Sequence, residues 1–268
     1  MVSRRLIVKS VAGVATTIAL GWQGLAAARS APSVNQAASA TSRAVRLDRV
    51  VDRRSWTEGS IGTTVQGRQI VRWDSRPSGA TRHVTVVSGM HGDERITYPL
   101  AEALRRTDLP IDMHVTIIPS LNPDGWAADT RRNARGVDLN RNFPWMWSSS
   151  KESSGPGPAS ELETQAAMSL LQTERPDLVI WIHQPLAYVA PIADCPNEYV
   201  ELWANAAGVR VRPDISHLGG GETWSARTAG LRSMLVEVTS WSTAQSLIDD
   251  HVRGFAALLP RVTVHESK

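Results

Sequence analysis

Histidine and glutamate side chains stand at the ends of three short apolar runs in this sequence. His91 and Glu94 come just after VTVVSG, and His183 ends LVIWIH. Glu237 lies within LVEVTS, where a carboxylate is costly to bury without a partner. A catalytic zinc takes three protein ligands and keeps one position open, and two histidines with one glutamate are a known set. The joint pattern predicts a zinc site built from the first three residues, with Glu237 as general base.

Each of these features alone also has a purely structural interpretation. A His-x-x-Glu pair occurs by chance on surface helices, and a single strand-end histidine is more often a hydrogen-bonded core residue than a ligand. The shared position favours chemistry, because active sites of open α/β sheets lie beyond the carboxyl ends of the strands.

The segments that would position these residues alternate short apolar strands with helical patterns, which predicts an α/β sheet. The predicted strands are a hairpin over 62–73 and the runs 84–88, 113–119, 178–182 and 233–238. The predicted helices cover 98–106, 160–174, 197–207 and 243–259, the second opened by a capping box of Ser160 and Glu163. NPDG at 122–125 predicts a turn. Residues 126–158 have no sustained period, and loops that long are usually functional or disordered.

Composition places the chain among ordinary globular proteins. Hydrophobic residues make up 42% and charged residues 21%, which excludes disorder or a collagen-like repeat for the bulk of the chain. A single cysteine excludes an intrachain disulfide framework and a multi-cysteine metal cage.

The first 45 residues are predicted to be an export signal and a linker. Residues 1–28 place SRRLIVK before a short apolar run and LAAA, which is the order of a twin-arginine secretory signal. An ordinary secretion signal and a retained amphipathic anchor are the alternatives. Residues 29–45, rich in Ala, Ser and Thr, predict a flexible linker.

Charge does not indicate a nucleic-acid or membrane partner for the mature chain. The signal contains three of the 29 Lys and Arg and no acid, which leaves 26 against 26 Asp and Glu. We therefore expect no nucleic-acid partner, and no stable membrane partner once the signal is cleaved.

Several longer motifs carry a resemblance to a known family. HGDE, NPDG, RRNARGVDLNRNFP, the isolated strand-end histidine and the glutamate of LVEV together resemble the zinc metallocarboxypeptidase family, from about residue 59 to the final helix. The HGDE motif, the compact size and HQPL at 183–186 are most similar to its bacterial murein peptide amidase branch. The resemblance implies a single three-layer α/β catalytic domain over 46–265. Its mixed, mostly parallel sheet would have about eight strands flanked by helices.

The resemblance also implies a role for each residue of the metal centre. His91, Glu94 and His183 would hold one Zn²⁺ ion. Glu237 would take a proton from the zinc-activated water and pass it to the leaving amine. Asp138 would orient His91 from outside the ligand set.

A second set of residues would bind the substrate. Arg131 stands at the family's spacing for the arginine that polarises the scissile carbonyl, with the neighbouring Arg132 as a rival. Asn140 and Arg141 would grip the terminal carboxylate of a peptide. An acid at the position of Glu222 would favour a positively charged substrate group, such as the distal amino group of diaminopimelate.

The resemblance is incomplete at one position. Pancreatic-type members carry a mobile tyrosine about twenty residues before the general base, and the stretch 214–222 contains none. Either His217 takes its place or the role is missing.

The sequence therefore predicts an exported, monomeric zinc metallocarboxypeptidase, secreted or associated with the cell wall. Its expected partner is a peptide with a free C-terminal carboxylate, most of all a murein peptide cut at the γ-D-glutamyl–diaminopimelate bond. The alternatives are a general secreted carboxypeptidase, an amide-cleaving deacylase and a non-catalytic wall-peptide binding protein.

Overall fold

The computed structural model describes residues 50–51 and 55–266. The predicted signal over 1–28 and the predicted linker over 29–45 lie outside the described residues. The strands are β1 (Val50–Val51), β2 (Thr57–Thr63), β3 (Gln69–Ser75), β4 (Arg82–Val87), β5 (Leu109–Pro110), β6 (Met113–Ile118), β7 (Leu178–His183), β8 (Leu186–Ile192), β9 (Arg210–Val211) and β10 (Ser233–Thr239). The helices are α1 (Thr97–Leu104), α2 (Pro123–Ala128), α3 (Leu162–Glu174), α4 (Asn197–Ala207), α5 (Gly221–Arg227) and α6 (Gln245–Leu258). Within these ranges, no helix is long and apolar enough to cross a membrane.

Eight of the strands form one mixed sheet in the order β2-β3-β6-β4-β7-β10-β8-β9. Strands β6, β4, β7 and β10 run parallel to one another at its centre. The sheet continues antiparallel through β3 and β2 on one side and through β8 on the other. The predicted α/β fold with a mixed sheet of about eight strands flanked by helices is confirmed.

The central strands form because their sequences are apolar and rich in β-branched residues. MHVTII in β6 and LVIWIH in β7 are buried along their whole length, as expected of strands covered on both faces. One apolar cluster packs α1, α4 and α6 against the sheet, and a second packs α3 and α5 against the opposite face. The result is a three-layer domain with a core on each side of the sheet.

The predicted capping box at the start of α3 is wrong. The N-cap residue is Glu161, and no side chain caps the helix. The Ser160 hydroxyl donates instead to the carboxylate of Glu161 at 2.8 Å. Glu163 faces the amide of Asn133. These polar residues bond to the long loop beside the helix, and this competing set of partners overrides the local capping pattern.

The predicted turn at 122–125 is the start of a helix. Asn122 is the N-cap of α2, its side chain accepts from the Gly125 amide, and Pro123 stands at the first helical position. Asparagine and proline are favoured at these two places, so the motif that indicated a turn also fits a helix start.

Candidate metal centre

His91, Glu94 and His183 lie together at the carboxyl end of the central parallel strands. His91 and Glu94 occupy the connection between β4 and α1, and His183 is the last residue of β7. Glu94 Oε1 lies 2.6 Å from His91 Nδ1, and Glu94 Oε2 lies 3.2 Å from His183 Nδ1. The two Nδ1 atoms are 3.2 Å apart. All three side chains are buried, so their ligand atoms face one enclosed point.

The donor set and its charge fit a zinc ion. Two imidazole nitrogens and a carboxylate converge, and this group can hold a metal. Glu94 Oε2 is buried, and apart from its 3.2 Å approach to His183 Nδ1 it has no polar partner among the described residues. Burial disfavours a charged His91, but Glu94 and Asp138 outweigh it and raise the pKa of His91 to about 9. The protein groups around this point therefore strongly favour positive charge.

Backbone packing fixes the HGDE segment. A Cβ on Gly92 would lie 1.9 Å from the carbonyl carbon of Gly125, so the first turn of α2, which NPDG forms, packs directly against HGDE. The Gly92 amide donates to the Thr130 carbonyl at 2.9 Å. Asn122, which the NPDG motif predicts only as part of a turn, donates from its side chain to the Met90 carbonyl at 3.3 Å. Its place before a proline, typical of an N-cap, was the signal that could have identified it.

Glu237 stands beside the metal ligands on the neighbouring strand. It lies in β10 in register with His183 of β7. Its side chain is 7% exposed, and Oε2 accepts weakly from the Leu186 amide at 3.4 Å. Burial raises the pKa of Glu237, and the charge of Glu94 adds to the effect while His183 opposes it. A carboxylate with a raised pKa is a better proton acceptor than an exposed one, which suits a general base.

The structure separates the two candidate arginines. Arg131 Nε donates to Asp138 Oδ2 at 3.0 Å, and Arg131 Nη1 lies 3.9 Å from Glu94 Oε1. Arg132 instead pairs with the exposed Glu152 on the surface. Arg131 is thus the arginine that faces the centre, while half of its side chain stays open to solvent.

Asn140 and Arg141 lie on a short 3-10 turn over Leu139–Arg141. The Asn140 carboxamide oxygen accepts from the Gly221 amide at 2.9 Å. Arg141 Nη1 donates to the Asn140 carbonyl at 2.6 Å. The left-handed Gly219 packs against the backbone of Arg141, where a Cβ would lie 2.3 Å from the carbonyl oxygen. The two predicted clamp residues are therefore held by the loop that leads into α5.

Glu222 is fully buried at the start of α5. Its Oε1 lies 2.5 Å from His217 Nδ1, and its Oε2 has no hydrogen-bond partner among the described residues. Burial would raise the pKa of Glu222, but His217 lowers it overall. The residue predicted to bind a substrate amine thus already has a histidine partner, and the sequence predicts for His217 only a role in place of the missing tyrosine.

A family model described as zinc carboxypeptidase matches residues 54–201. The chain belongs to the zinc carboxypeptidase family. It is 32% identical over 148 residues to murein peptide amidase A of Escherichia coli K12. This alignment covers 48% of this chain and 61% of that protein. It is 30% identical over 222 residues to murein peptide amidase A of Vibrio campbellii, covering 76% of this chain and 87% of that one.

A solved structure of a family relative supports the same assignment. Murein-tripeptide amidase from Escherichia coli O157 superposes with a TM-score of 0.61 at 26% identity, over 77% of this chain and 94% of that one. The donor set of His91, Glu94 and His183 suits zinc, the metal after which the family is named.

Proposed function

We propose that this protein is a zinc-dependent carboxypeptidase that cuts murein peptides at the γ-D-glutamyl–diaminopimelate bond. The observation that carries the proposal is the buried convergence of His91, Glu94 and His183 beside Glu237. The relatives named murein peptide amidase A support the choice of substrate.

His91, Glu94 and His183 would hold the zinc ion. When bound, zinc polarises a carbonyl oxygen and lowers the pKa of water. Glu237 accepts the proton of the attacking water and then donates it to the leaving amine. Arg131, with its guanidinium next to Glu94, donates hydrogen bonds to the scissile carbonyl as negative charge develops on it.

Asn140 and Arg141 make the enzyme an exopeptidase. Arg141 uses one nitrogen on the Asn140 carbonyl, and the rest of its fork is suited to a carboxylate. The Gly221 amide holds the Asn140 side chain by its oxygen, so the NH₂ group is left to donate. A substrate without a free terminal carboxylate would leave these donors unpaired, which is costly in a buried site.

Glu222 gives the site its preference for a cationic side chain. Its unpartnered Oε2 is an acceptor for an ammonium group, and His217 keeps the carboxylate ionised. We expect Glu222→Gln to reduce the preference for a terminal residue that carries a distal amino group. If kcat/KM still favours such substrates by the same factor, Glu222 does not recognise the side chain of the substrate's terminal residue.

Export precedes this activity in the proposed pathway. Arg4 and Arg5 at the head of residues 1–28 support a twin-arginine signal, which carries already folded proteins across the membrane. A protein whose zinc ligands come from two distant segments of the chain gains from folding around its metal before transport. We propose that the mature chain acts outside the cytoplasmic membrane, free or associated with the wall.

The substrate class can be tested with matched peptides and the purified zinc-loaded protein. The first peptide is L-Ala-γ-D-Glu-diaminopimelate, the second is its C-terminal carboxamide, and the third is an ordinary α-linked peptide. We expect diaminopimelate release from the first at least about a hundredfold faster than cleavage of the other two. Cleavage of only the third would support a general carboxypeptidase instead. If none is cleaved but Glu237→Gln binds the first as tightly as the wild type, the protein is a binding module.

A further inference from the structure

The loop that carries Arg131 is built around one asparagine. Asn133 is 5% exposed, and its Oδ1 accepts from the backbone amides of Arg135 and Val137, each at 3.0 Å. Its own backbone bonds to Val137 and Gly136 at 2.9 Å. A single side chain therefore fixes the course of residues 133–137.

The other end of this side chain is anchored on two buried carboxylates. Asn133 Nδ2 donates to Glu161 Oε2 at 2.8 Å and approaches Glu163 Oε2 at 3.3 Å. Both glutamates are fully buried, and Glu163 Oε1 has no hydrogen-bond partner among the described residues. Burial raises the pKa of Glu163, and the nearby Glu161 adds to the effect. Burying two neighbouring carboxyl groups with one oxygen left unpartnered is costly, so the arrangement is expected to serve function rather than stability.

The loop closes at the metal centre. Arg131 precedes Asn133 by two residues, and its guanidinium returns to Asp138 just beyond the loop. Asp138 in turn faces His91 Nε2 at 3.0 Å. A shift of the loop would therefore change the direction of the Arg131 side chain, whose guanidinium is held by Asp138 at 3.0 Å and lies 3.9 Å from Glu94.

We propose that Asn133 is a positioning residue that, anchored on Glu161 and Glu163, aims Arg131 at the scissile carbonyl. The inference rests on the proposed peptidase activity, in which Arg131 polarises that carbonyl. A displacement of about 1 Å in such a group can lower the rate about a hundredfold. The gain in rate therefore outweighs the energetic cost of burying the anchor.

The same short segment anchors the neighbouring substrate loop, which supports the assignment. Asn142, next to Arg141, is fully buried and donates to the Ser160 hydroxyl at 2.9 Å. Its Oδ1 accepts from the Glu161 amide at 3.2 Å. The polar residues that precede α3 and begin it thus bond to both loops that carry substrate-binding arginines.

A double-mutant cycle tests the proposal. We expect Asn133→Ala to lower kcat by about ten- to a hundredfold while KM changes by less than about threefold. In an Arg131→Ala background the same substitution should cost little more, because the residue through which it acts is gone. Equal costs in the two backgrounds would overturn the inference.

A swap of hydrogen-bond polarity separates positioning from loss of the fold. Asn133→Asp keeps the size and the acceptor but places a third carboxylate against Glu161, so kcat should fall. Adding Glu161→Gln restores a donor–acceptor pair and should recover most of the loss. Failure of the double variant to recover kcat, with both variants folded, would count against the anchor.

Two further measurements distinguish a positioning role of Asn133 from a purely structural one. His251→Ala removes a buried acceptor of the Trp203 indole at 3.0 Å, between α4 and α6, and should lower Tm without changing kcat. Hydrogen exchange at Arg135 and Val137 should accelerate in Asn133→Ala, whatever the activity. If Asn133→Ala behaves like His251→Ala, its role is structural. A wild type that cleaves no peptide would overturn the proposed function, and this inference with it.

Discussion

The carboxylate of Asp138 connects three parts of the site. Its Oδ1 faces His91 Nε2 and accepts from the Asn140 amide at 2.9 Å, while its Oδ2 accepts from Arg131. Burial opposes ionisation, but His91 and Arg131 hold the pKa of Asp138 well below its usual range. An ionised Asp138 would hold the proton of a neutral His91 on Nε2, which would leave the lone pair of Nδ1 to a metal ion beside Glu94 and His183.

We therefore expect Asp138→Asn to weaken zinc binding by about ten- to a hundredfold, because the ring loses its anionic partner. Competition with a chelating indicator measures the zinc Kd. Glu152→Gln is the matched control, since Glu152 is an exposed acid that pairs with Arg132 on the surface, away from the metal centre. An unchanged Kd in Asp138→Asn would remove Asp138 from the metal centre.

The residues that must meet at the centre could be identified from the sequence, because they lie at predicted strand ends or in motifs of fixed spacing. Spacing alone left Arg131 and Arg132 open, since the choice depends on the direction in which each side chain leaves a loop. The partners of Glu222 and Asn133 were also out of reach. His217 lies only five residues before Glu222 but forms no recognisable motif with it, and Glu161 lies 28 residues after Asn133 in a different segment.

At the scale of elements, the contact between HGDE and α2 is so close that it leaves no space for a side chain. Gly92→Ala would place a Cβ within 2 Å of the α2 backbone, where nothing flexible can give way. We expect it to destabilise the fold by more than about 3 kcal/mol and to disrupt the metal site. Gly157→Ala is the control, because a Cβ there meets no atom within 4 Å. Urea unfolding compares the two, and equal midpoints would contradict the close contact.

A second group of ligand-type side chains lies at the opposite end of β4. His83 stacks on His114 with ring centroids 3.8 Å apart, and Glu174 lies 3.6 Å from His83 Nε2. Arg72 pairs with Glu174 at 2.8 Å, and Arg76 donates to the His114 ring. The positive charges of these two arginines disfavour the binding of a metal ion by this group. We therefore interpret the group as a structural network between β4 and β6.

That network makes stability depend on pH. Burial lowers the pKa of His83 to about 3, with His114 and Arg76 adding to the effect, against about 6.5 in the unfolded chain. Between these values the unfolded state binds a proton that the folded state does not, so stability falls as pH falls below 6.5. We expect His83 to account for about 2 kcal/mol of the loss between pH 6.5 and 5. Urea unfolding of His83→Asn should show a smaller drop, and an equal drop would contradict the assignment.

The elements themselves were predictable to the extent that each had its own period. The buried runs of β4, β6, β7 and β10 and the amphipathic α6 could be found from the sequence, because each shows a clear apolar pattern. LAYVAPI of β8 contains a proline, and GETWSAR of α5 is short and begins with glycine, so neither segment shows a clear apolar pattern. Both are held by tertiary contacts, β8 by antiparallel pairing with β10 and α5 by packing under the sheet.

At the scale of the whole molecule, parallel strands explain why distant motifs meet. The connection after β4, the end of β7 and the middle of β10 lie at one edge of the sheet, and the two apolar layers make that edge rigid. Loops between 119 and 161 and between 212 and 221 then carry the groups that we propose bind substrate. Export and wall association stay predictions of the sequence.

A zinc-dependent murein peptidase is tested most directly by a zinc titration of the metal-free protein, with release of diaminopimelate from L-Ala-γ-D-Glu-diaminopimelate followed by mass spectrometry. We predict that the rate rises linearly to one zinc per chain and then stays constant. Glu237→Gln should bind the same single zinc and release almost nothing. Full release without added metal, or no release at saturating zinc, would contradict a zinc-dependent murein peptidase.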